Sequence, residues 1–567
     1  MKKFFSLVLA VLMALSLSVT AFAADITINS NDNTPGLSVD GKTFNAYKVL
    51  DLVDADGMIY AAAAGLEDFF AARYELDKTN QYFNEQLTAA LKAEIEATDF
   101  DGFAFAAELL AAAKAAGIAP TSAVGASGTA TISGLDIGYY VVEDAGKDGD
   151  EDTAISALML QKTDDSPAIT IKGSMPTITK DILTSDVAPE NDQDEDGKVK
   201  TNNGSIGEMV PYVLGSKVPS NMDGYDEYTY IIHDQMSKGL TFQNDVIVKI
   251  DGEALTLGTD YTVATAAITE DGEYKGGTAI TIEILNFIQY KDKAGAAIEV
   301  YYSAQINEDA VIGEVLGNPN RVRLEYSNNP NYIEQPGEPG DEPVGPTGIT
   351  PWDEVRTYVT EVKIIKTDAN GIRLDGAKFT LTGERVVKVL VETLEFTEDE
   401  NGEYWLLTDG TYTTTDPAAE GIDQSKYADI ETTYKKELVV EVQEKTETVT
   451  ITGVTNDEGE LIFSGLASGD YTLTEIEAPD GYNLLKQPIE LTITWTEPAG
   501  TSKDCTWAYT WTNANGVGNV VTVVNNIGVV LPETGGMGTH LFYLVGGALV
   551  VGAVVLMIAK KRMKNEQ

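Results

Sequence analysis

Three residues in the last third of the chain have the types and the placing for a condensation between side chains. Side chains of an extended segment alternate faces, so in EVKIIKTDANGIRLDGAKFTL (361–381) Val362, Ile364 and Lys366 point the same way, and that way is apolar. In YTLTEIEAPDGY (471–482) Tyr471, Leu473 and Glu475 share a face, and in NVVTVVNN (519–526) Val521, Val523 and Asn525 do the same. An amine, an acid and a carboxamide thus each close or interrupt an apolar row. Burying such groups favours their neutral forms, because desolvation lowers a lysine pKa and raises a carboxyl pKa. A neutral amine is a nucleophile, and a protonated carboxyl can hydrogen-bond a carboxamide and polarise its carbonyl. Attack of Lys366 on Asn525 with loss of ammonia, Glu475 acting as acid and base, would leave an isopeptide bond between the first and last strands of one domain.

The elements that must hold these groups follow from the surrounding pattern. From Thr177 onward, short runs of Val, Ile, Thr and Tyr alternate with polar residues and with turn signals such as Asn370-Gly371 and Asn401-Gly402, the pattern of antiparallel sandwiches. Earlier the pattern differs: residues 86–98 and 103–116 are rich in Ala, Leu and Glu and predict helices. A Pro- and Gly-rich stretch at 335–351 reads as an extended linker, and a second break surrounds 173–176. The expectation is a mainly β chain of three tandem Ig-like antiparallel β-sandwich domains, at 24–172, 173–345 and 346–530, the first with added helices. The length suits three domains that each bury a core.

The two ends carry addresses. Lys2 and Lys3 precede an apolar stretch from Phe4 to Val19, and Ala21, Phe22 and Ala23 give the small-x-small pattern of a cleavage site, so 1–23 reads as a signal peptide. At the other end, 531–567, Leu531, Pro532, Glu533, Thr534 and Gly535 spell LPETG. An uncharged run at 541–559 follows, long enough to span a bilayer as a helix, then Lys560, Lys561, Arg562 and Lys564. The pentapeptide resembles the sorting signal that sortase transpeptidases cut between Thr and Gly, here Thr534 and Gly535, which makes the membrane anchor a transient one.

Removing the signal peptide and everything after Thr534 takes away six positive charges (Lys2, Lys3, Lys560, Lys561, Arg562, Lys564) and one negative (Glu566), moving the formal charge from -50 to -55. Such a surface repels nucleic acid and anionic lipid. Cys505 is the single cysteine, so no intrachain disulfide can form. Of the two histidines, His540 lies in the tail and His233 beside Asp234, too few to assemble a nucleophile with a histidine base and an orienting acid. Asp192, Asp194, Asp196 and Gly197 imitate the start of a calcium loop, but its twelfth position is Asn203 rather than the glutamate such loops need. The sequence therefore points to no metal, no cofactor and no enzyme active on other molecules.

With YTLTEIEAPDGY as a glutamate box and VKIIKTD followed by LDGAKFTL as opening strands, the chain resembles the sortase-assembled Gram-positive backbone pilins with Cna-type domains. In that family intramolecular isopeptide bonds are a common feature. The resemblance implies a second set in the middle domain: Lys180 from PTITKDI, Asp234 from YTYIIHDQMSKGL and Asn320 from NPNRVRLEYSNNP, taken as that domain's last strand. Asn328 has the same parity and rivals Asn320. In the first domain, residues 139–144 resemble a degraded glutamate box with Glu143, but the final strand AITIK holds no asparagine, and no crosslink is expected there.

The family also implies an acceptor lysine at the end of the first domain, in a WxxxVxVYPK motif. Here Ile169, Ile171 and Lys172 keep the V-x-V-then-Lys order without the Trp or the Tyr-Pro, and Lys172 is the expected acceptor. Expected partners are a sortase, other copies of the chain head to tail, accessory pilins, peptidoglycan and host extracellular ligands, at a cell-wall-anchored surface fimbrium. The alternative is a monomeric wall-anchored adhesin with the same sorting signal and no acceptor lysine.

Overall fold

The computed structural model describes residues 24–30, 38–54, 58–147 save 99 and 101, 159–162, 167–171, 176–184, 197–329 save 221, 223, 224 and 226, and 345–527. The signal peptide, Lys172 and the whole segment 531–567 lie outside the described residues. Among the described residues no helix is long and apolar enough to cross a membrane.

The first region sets a three-stranded sheet (Thr129–Leu135, Ala24–Asn29, Ala168–Thr170) against a larger one built on Lys42–Asp54 and Gly138–Lys147. Helices Glu67–Arg73, Phe83–Ile95 and Gly102–Ala115 cover the outer face of the larger sheet. That sheet is consequently covered on both sides. Val142 packs between the sheets with Ile26, Phe44 and Ile132, while the adjacent Val141 packs beneath the helices with Leu87 and Leu109.

In the middle region two sheets of seven strands enclose one core. One sheet runs through Ile178–Leu183, Met209–Lys217 and Ala297–Ile306; the other through Asp353–Tyr358, Asn318–Ser327, Tyr230–Met236 and Thr278–Ile284. Alternation is strict where it matters: Ile178, Lys180 and Ile182 are buried, as are Tyr230, Ile232 and Asp234. Two expectations need correction. Thr347–Ile349 and Asp353–Tyr358 both pair with Asn318–Ser327, so the latter is not the last strand, and residues just beyond 345 complete the middle sandwich rather than open the next domain. The stretch rich in Pro and Gly reads as a linker because those residues break regular structure, yet the chain after it returns to the same sheet. The Asp353 carboxylate accepts the Lys180 backbone N–H at 2.7 Å and so ties this late strand to the first.

The third sandwich packs a four-stranded sheet, centred on Thr360–Asp368 and Val520–Asn525, against a five-stranded one that includes Gly469–Glu477. Thr360–Asp368 and Val520–Asn525 run parallel and adjacent, with Lys366 opposite Val523 and Asp368 opposite Asn525.

One element has no counterpart in the sequence reading. Lys378–Glu398 and Tyr434–Val454, 21 residues each, form a continuous antiparallel ladder. Strands of 3–10 residues are usual, and only the base of this ladder, with Phe379 and Leu381, belongs to the third core. Its outer part lies on the middle sandwich: Leu390, Val440 and Val442 pack against Leu183, Val213 and Tyr301. The Leu438 N–H donates to the Gly252 carbonyl at 2.9 Å, and Lys435 pairs with Asp251 at 3.1 Å. Gly252 has φ +79°, and a Cβ there would stand 3.1 Å from Cγ of Glu437, so glycine permits both the turn and the close approach. Farther out Tyr412 stacks on Phe396 with ring centroids 3.8 Å apart.

Candidate functional site

In the third sandwich, strand alternation delivers the three sequence-selected groups to one point. Lys366, Glu475 and Asn525 are each 2% exposed or less. The Lys366 Nζ lies 3.6 Å from Glu475 Oε1 and donates to the Val523 carbonyl at 3.1 Å. The same Oε1 accepts from Asn525 Nδ2 at 2.8 Å, and Oε2 accepts the Leu485 N–H at 2.7 Å. A single carboxylate oxygen thus faces both amine and carboxamide. Burial pulls the Lys366 pKa down to about 8, against the opposing pull of Glu475. The Asn525 carbonyl oxygen, the atom that would gain charge under attack, has no hydrogen-bond partner.

The middle sandwich assembles a similar set, but with the lysine and the carboxamide on opposite sheets instead of on neighbouring strands. Lys180 comes from one sheet; Asp234 and Asn320 come from adjacent strands of the other, where Asp234 stands opposite Val322 and Met236 opposite Asn320. All three are buried to 1% exposure or less. Lys180 Nζ donates to Asp234 Oδ2 and to the Tyr302 hydroxyl. That hydroxyl donates to Asp234 Oδ2 at 3.0 Å and accepts from Asn320 Nδ2 at 2.8 Å. Tyr212 and Tyr302, paired on adjacent strands, place their ring centroids 4.9 and 4.7 Å from Nζ. Desolvation lowers the Lys180 pKa to about 8 and raises that of Asp234, each shift opposed by the partner's charge. Of the rival carboxamides, Asn320 makes the contact with Tyr302; the Asn328 backbone N–H donates to Pro346 at 3.2 Å.

Sequence reading missed Tyr302 and the pair Lys42 with Asp144. Tyr302 shares parity with Ile298, Val300 and Ala304, all buried, but a tyrosine in an apolar row reads as packing. In the first region Glu143 faces the helices, 2.5 Å from Lys114, and the buried acid is its neighbour Asp144, paired with Lys42 at 3.0 Å. The larger sheet is covered on both faces, so parity alone does not tell which neighbour meets the inter-sheet core. Cys505 is buried, and its backbone N–H donates to Glu314 of the middle region at 2.9 Å.

Comparison with known proteins agrees with the folded regions. Residues 206–330 match the Cna-B-like domain of Gram-positive pilin backbone subunit 2, and residues 423–504 match a prealbumin-like fold domain. The trypsin-resistant surface T6 protein of Streptococcus pyogenes serotype M6 is 27% identical over 457 residues, 69% of this chain and 70% of the relative. Among solved structures, the T6 backbone pilin of that organism is 17% identical with a TM-score of 0.49, covering 90% of this chain and 100% of the other. The major pilin SpaA of Corynebacterium diphtheriae is 15% identical with a TM-score of 0.41, covering 89% and 99%. The chain contains a domain of the Gram-positive pilin backbone type and a prealbumin-like domain, and in its folded regions it resembles the Gram-positive backbone pilins.

Proposed function

We propose that the chain is the structural subunit of a covalent surface pilus, self-braced by isopeptide bonds from Lys366 to Asn525 and from Lys180 to Asn320, with Glu475 and Asp234 as the acids that drive their formation. The observation that carries this reading is the recurrence of one constellation. Two separate sandwiches each bury a lysine with a depressed pKa, a carboxylate and a carboxamide within a few ångströms. A buried ion pair alone contributes little net stability, whereas conversion of the lysine to an amide removes the amine's charge and the cost of desolvating it. The pilin-type domain match agrees with it.

In this reading the exported chain is held by residues 541–559 and cut by a sortase between Thr534 and Gly535. The Thr534 carbonyl is then joined to Lys172 of the next copy, and the finished fibre to peptidoglycan. The role is structural rather than enzymatic towards other molecules. The test is polymer formation in a sortase-bearing Gram-positive host. An SDS-resistant ladder of surface species that collapses in Lys172→Ala is expected; a single wall-bound species in the parent chain would favour the monomeric adhesin instead.

A further inference from the structure

The two constellations differ in one respect that bears on how the reaction runs. In the third sandwich Glu475 Oε1 reaches both the amine and the carboxamide nitrogen, so one carboxyl can take a proton from the first and hand it to the second. In the middle sandwich the acid is an aspartate, shorter by one methylene. It contacts the amine, but the partner of Asn320 Nδ2 is the Tyr302 hydroxyl, which also contacts Lys180 Nζ and donates to Asp234 Oδ2. The phenol makes the contact to the carboxamide nitrogen that the carboxylate itself makes in the third sandwich.

We infer that Tyr302 is a catalytic residue of the middle-domain condensation, relaying the proton lost by Lys180 to the departing nitrogen of Asn320. The inference rests on the reading of Lys180 and Asn320 as reactants. The neutral amine adds to Cγ of Asn320, forming the Nζ–Cγ bond. Nζ gives up one proton to Asp234 Oδ2. As the Cγ–Nδ2 bond breaks, the Tyr302 hydroxyl delivers its proton to Nδ2, which leaves as ammonia, and the phenol recovers a proton from Asp234. One proton has moved from Nζ to Nδ2, both relay groups end as they began, and no other reactant is needed.

The hydroxyl is suited to this by its surroundings. It accepts from two donors and donates to Asp234, so it is linked to every group the relay involves; once Asp234 holds the amine proton, the bond between acid and phenol reverses and the phenol proton is free to turn to Nδ2. Complete burial beside Asp234 holds its pKa far above the ordinary tyrosine value, which keeps the phenol protonated between transfers. Tyr212 provides an internal control: it offers a similar ring to the same amine, and its hydroxyl lies near Asn320 and Thr357, but it makes no hydrogen bond to Asp234 or Lys180 and so lacks the link by which a proton would be passed on.

The test follows bond formation in the full chain made by cell-free synthesis, sampled over time and digested, with the Lys180–Asn320 and Lys366–Asn525 crosslinked peptides quantified by mass. General acid–base steps contribute about 10²–10⁴-fold, so Tyr302→Phe should slow the middle bond by that order while the third-domain bond keeps its rate. Tyr212→Phe should leave both rates within a few-fold. A middle bond forming in Tyr302→Phe at the parent rate overturns the inference; absence of that bond in the parent chain overturns the underlying reading instead. Should Tyr302→Phe lose the protease resistance of the middle region, a ring-fluorinated tyrosine at 302 decides. Its more acidic phenol changes the rate if the proton is relayed, and an unchanged rate overturns the relay.

Discussion

A lysine amine inside a protein is pushed toward its neutral form by the absence of water, and two lysines here are in that position. The Lys180 pKa is lowered to about 8 and the Asp234 pKa is raised, so a chain whose amine cannot react should show both in its stability. In Asn320→Ala, the unfolded lysine titrates near 10.4 and the folded one near 8. Between those values the unfolded chain binds more protons, and stability of the middle region rises with pH; it is lost again as pH falls through about 8. Asp234 acts with opposite sign in the acid range: its contribution is complete below the ordinary carboxyl pKa and is lost as pH rises through its elevated folded value. Denaturant midpoints of Asn320→Ala across this range should therefore fall and then rise. The parent chain should lack the upper rise if Lys180 is converted to an amide as proposed. The parity of all six groups was legible from sequence because a two-residue period allows only two faces and apolar neighbours mark the inner one. The role of Tyr302 was not legible, since nothing in its neighbours separates a packed phenol from one whose hydroxyl meets three polar groups.

At the scale of elements, the long hairpin 378–398 with 434–454 links the second and third sandwiches. A two-stranded ribbon is marginal by itself in water, so its outer half depends on Leu390, Val440 and Val442 against Leu183, Val213 and Tyr301. Leu390→Ala with Val440→Ala removes half-buried methyl groups worth about 1–3 kcal/mol in total. Amide exchange at Leu438, bonded to Gly252, should then speed by about 10–100-fold, since 1.4 kcal/mol is a factor of ten. The amides beside Leu381 and Leu473 in the third core should not change. Unaltered exchange at Leu438 would mean that the hairpin is held by its own ladder alone. Alternation in a sequence reports that a strand has a covered face and not which sandwich covers it, and for that reason the hairpin was hidden. The same limit explains Asp353–Tyr358: its pattern announces a strand, but only the register with Asn318–Ser327 assigns it to the middle sheet.

Across the whole molecule, the crosslinks proposed differ in what they brace. Thr360–Asp368 and Val520–Asn525 are the adjacent first and last strands of the third sandwich, so a bond between Lys366 and Asn525 closes that domain at both ends. The bond from Lys180 to Asn320 joins the two sheets of the middle sandwich across its core, with Asp353–Tyr358 still to follow in the chain. Tension entering at the end of the middle region therefore meets Asp353–Tyr358 before it meets the crosslink. That strand is held by its ladder to Asn318–Ser327 and by Asp353 to the Lys180 backbone. The third sandwich exposes no comparable segment between its crosslink and its last strand. Glu475→Ala should form the middle bond and not the third, losing one ammonia in place of two. The mass of the mature, folded and then fully denatured ectodomain tests the central claim most directly. The account requires a value two ammonia molecules, about 34 Da, below that calculated from the sequence, with the missing nitrogens mapped to the 180/320 and 366/525 peptides. A mass equal to the calculated one would contradict it.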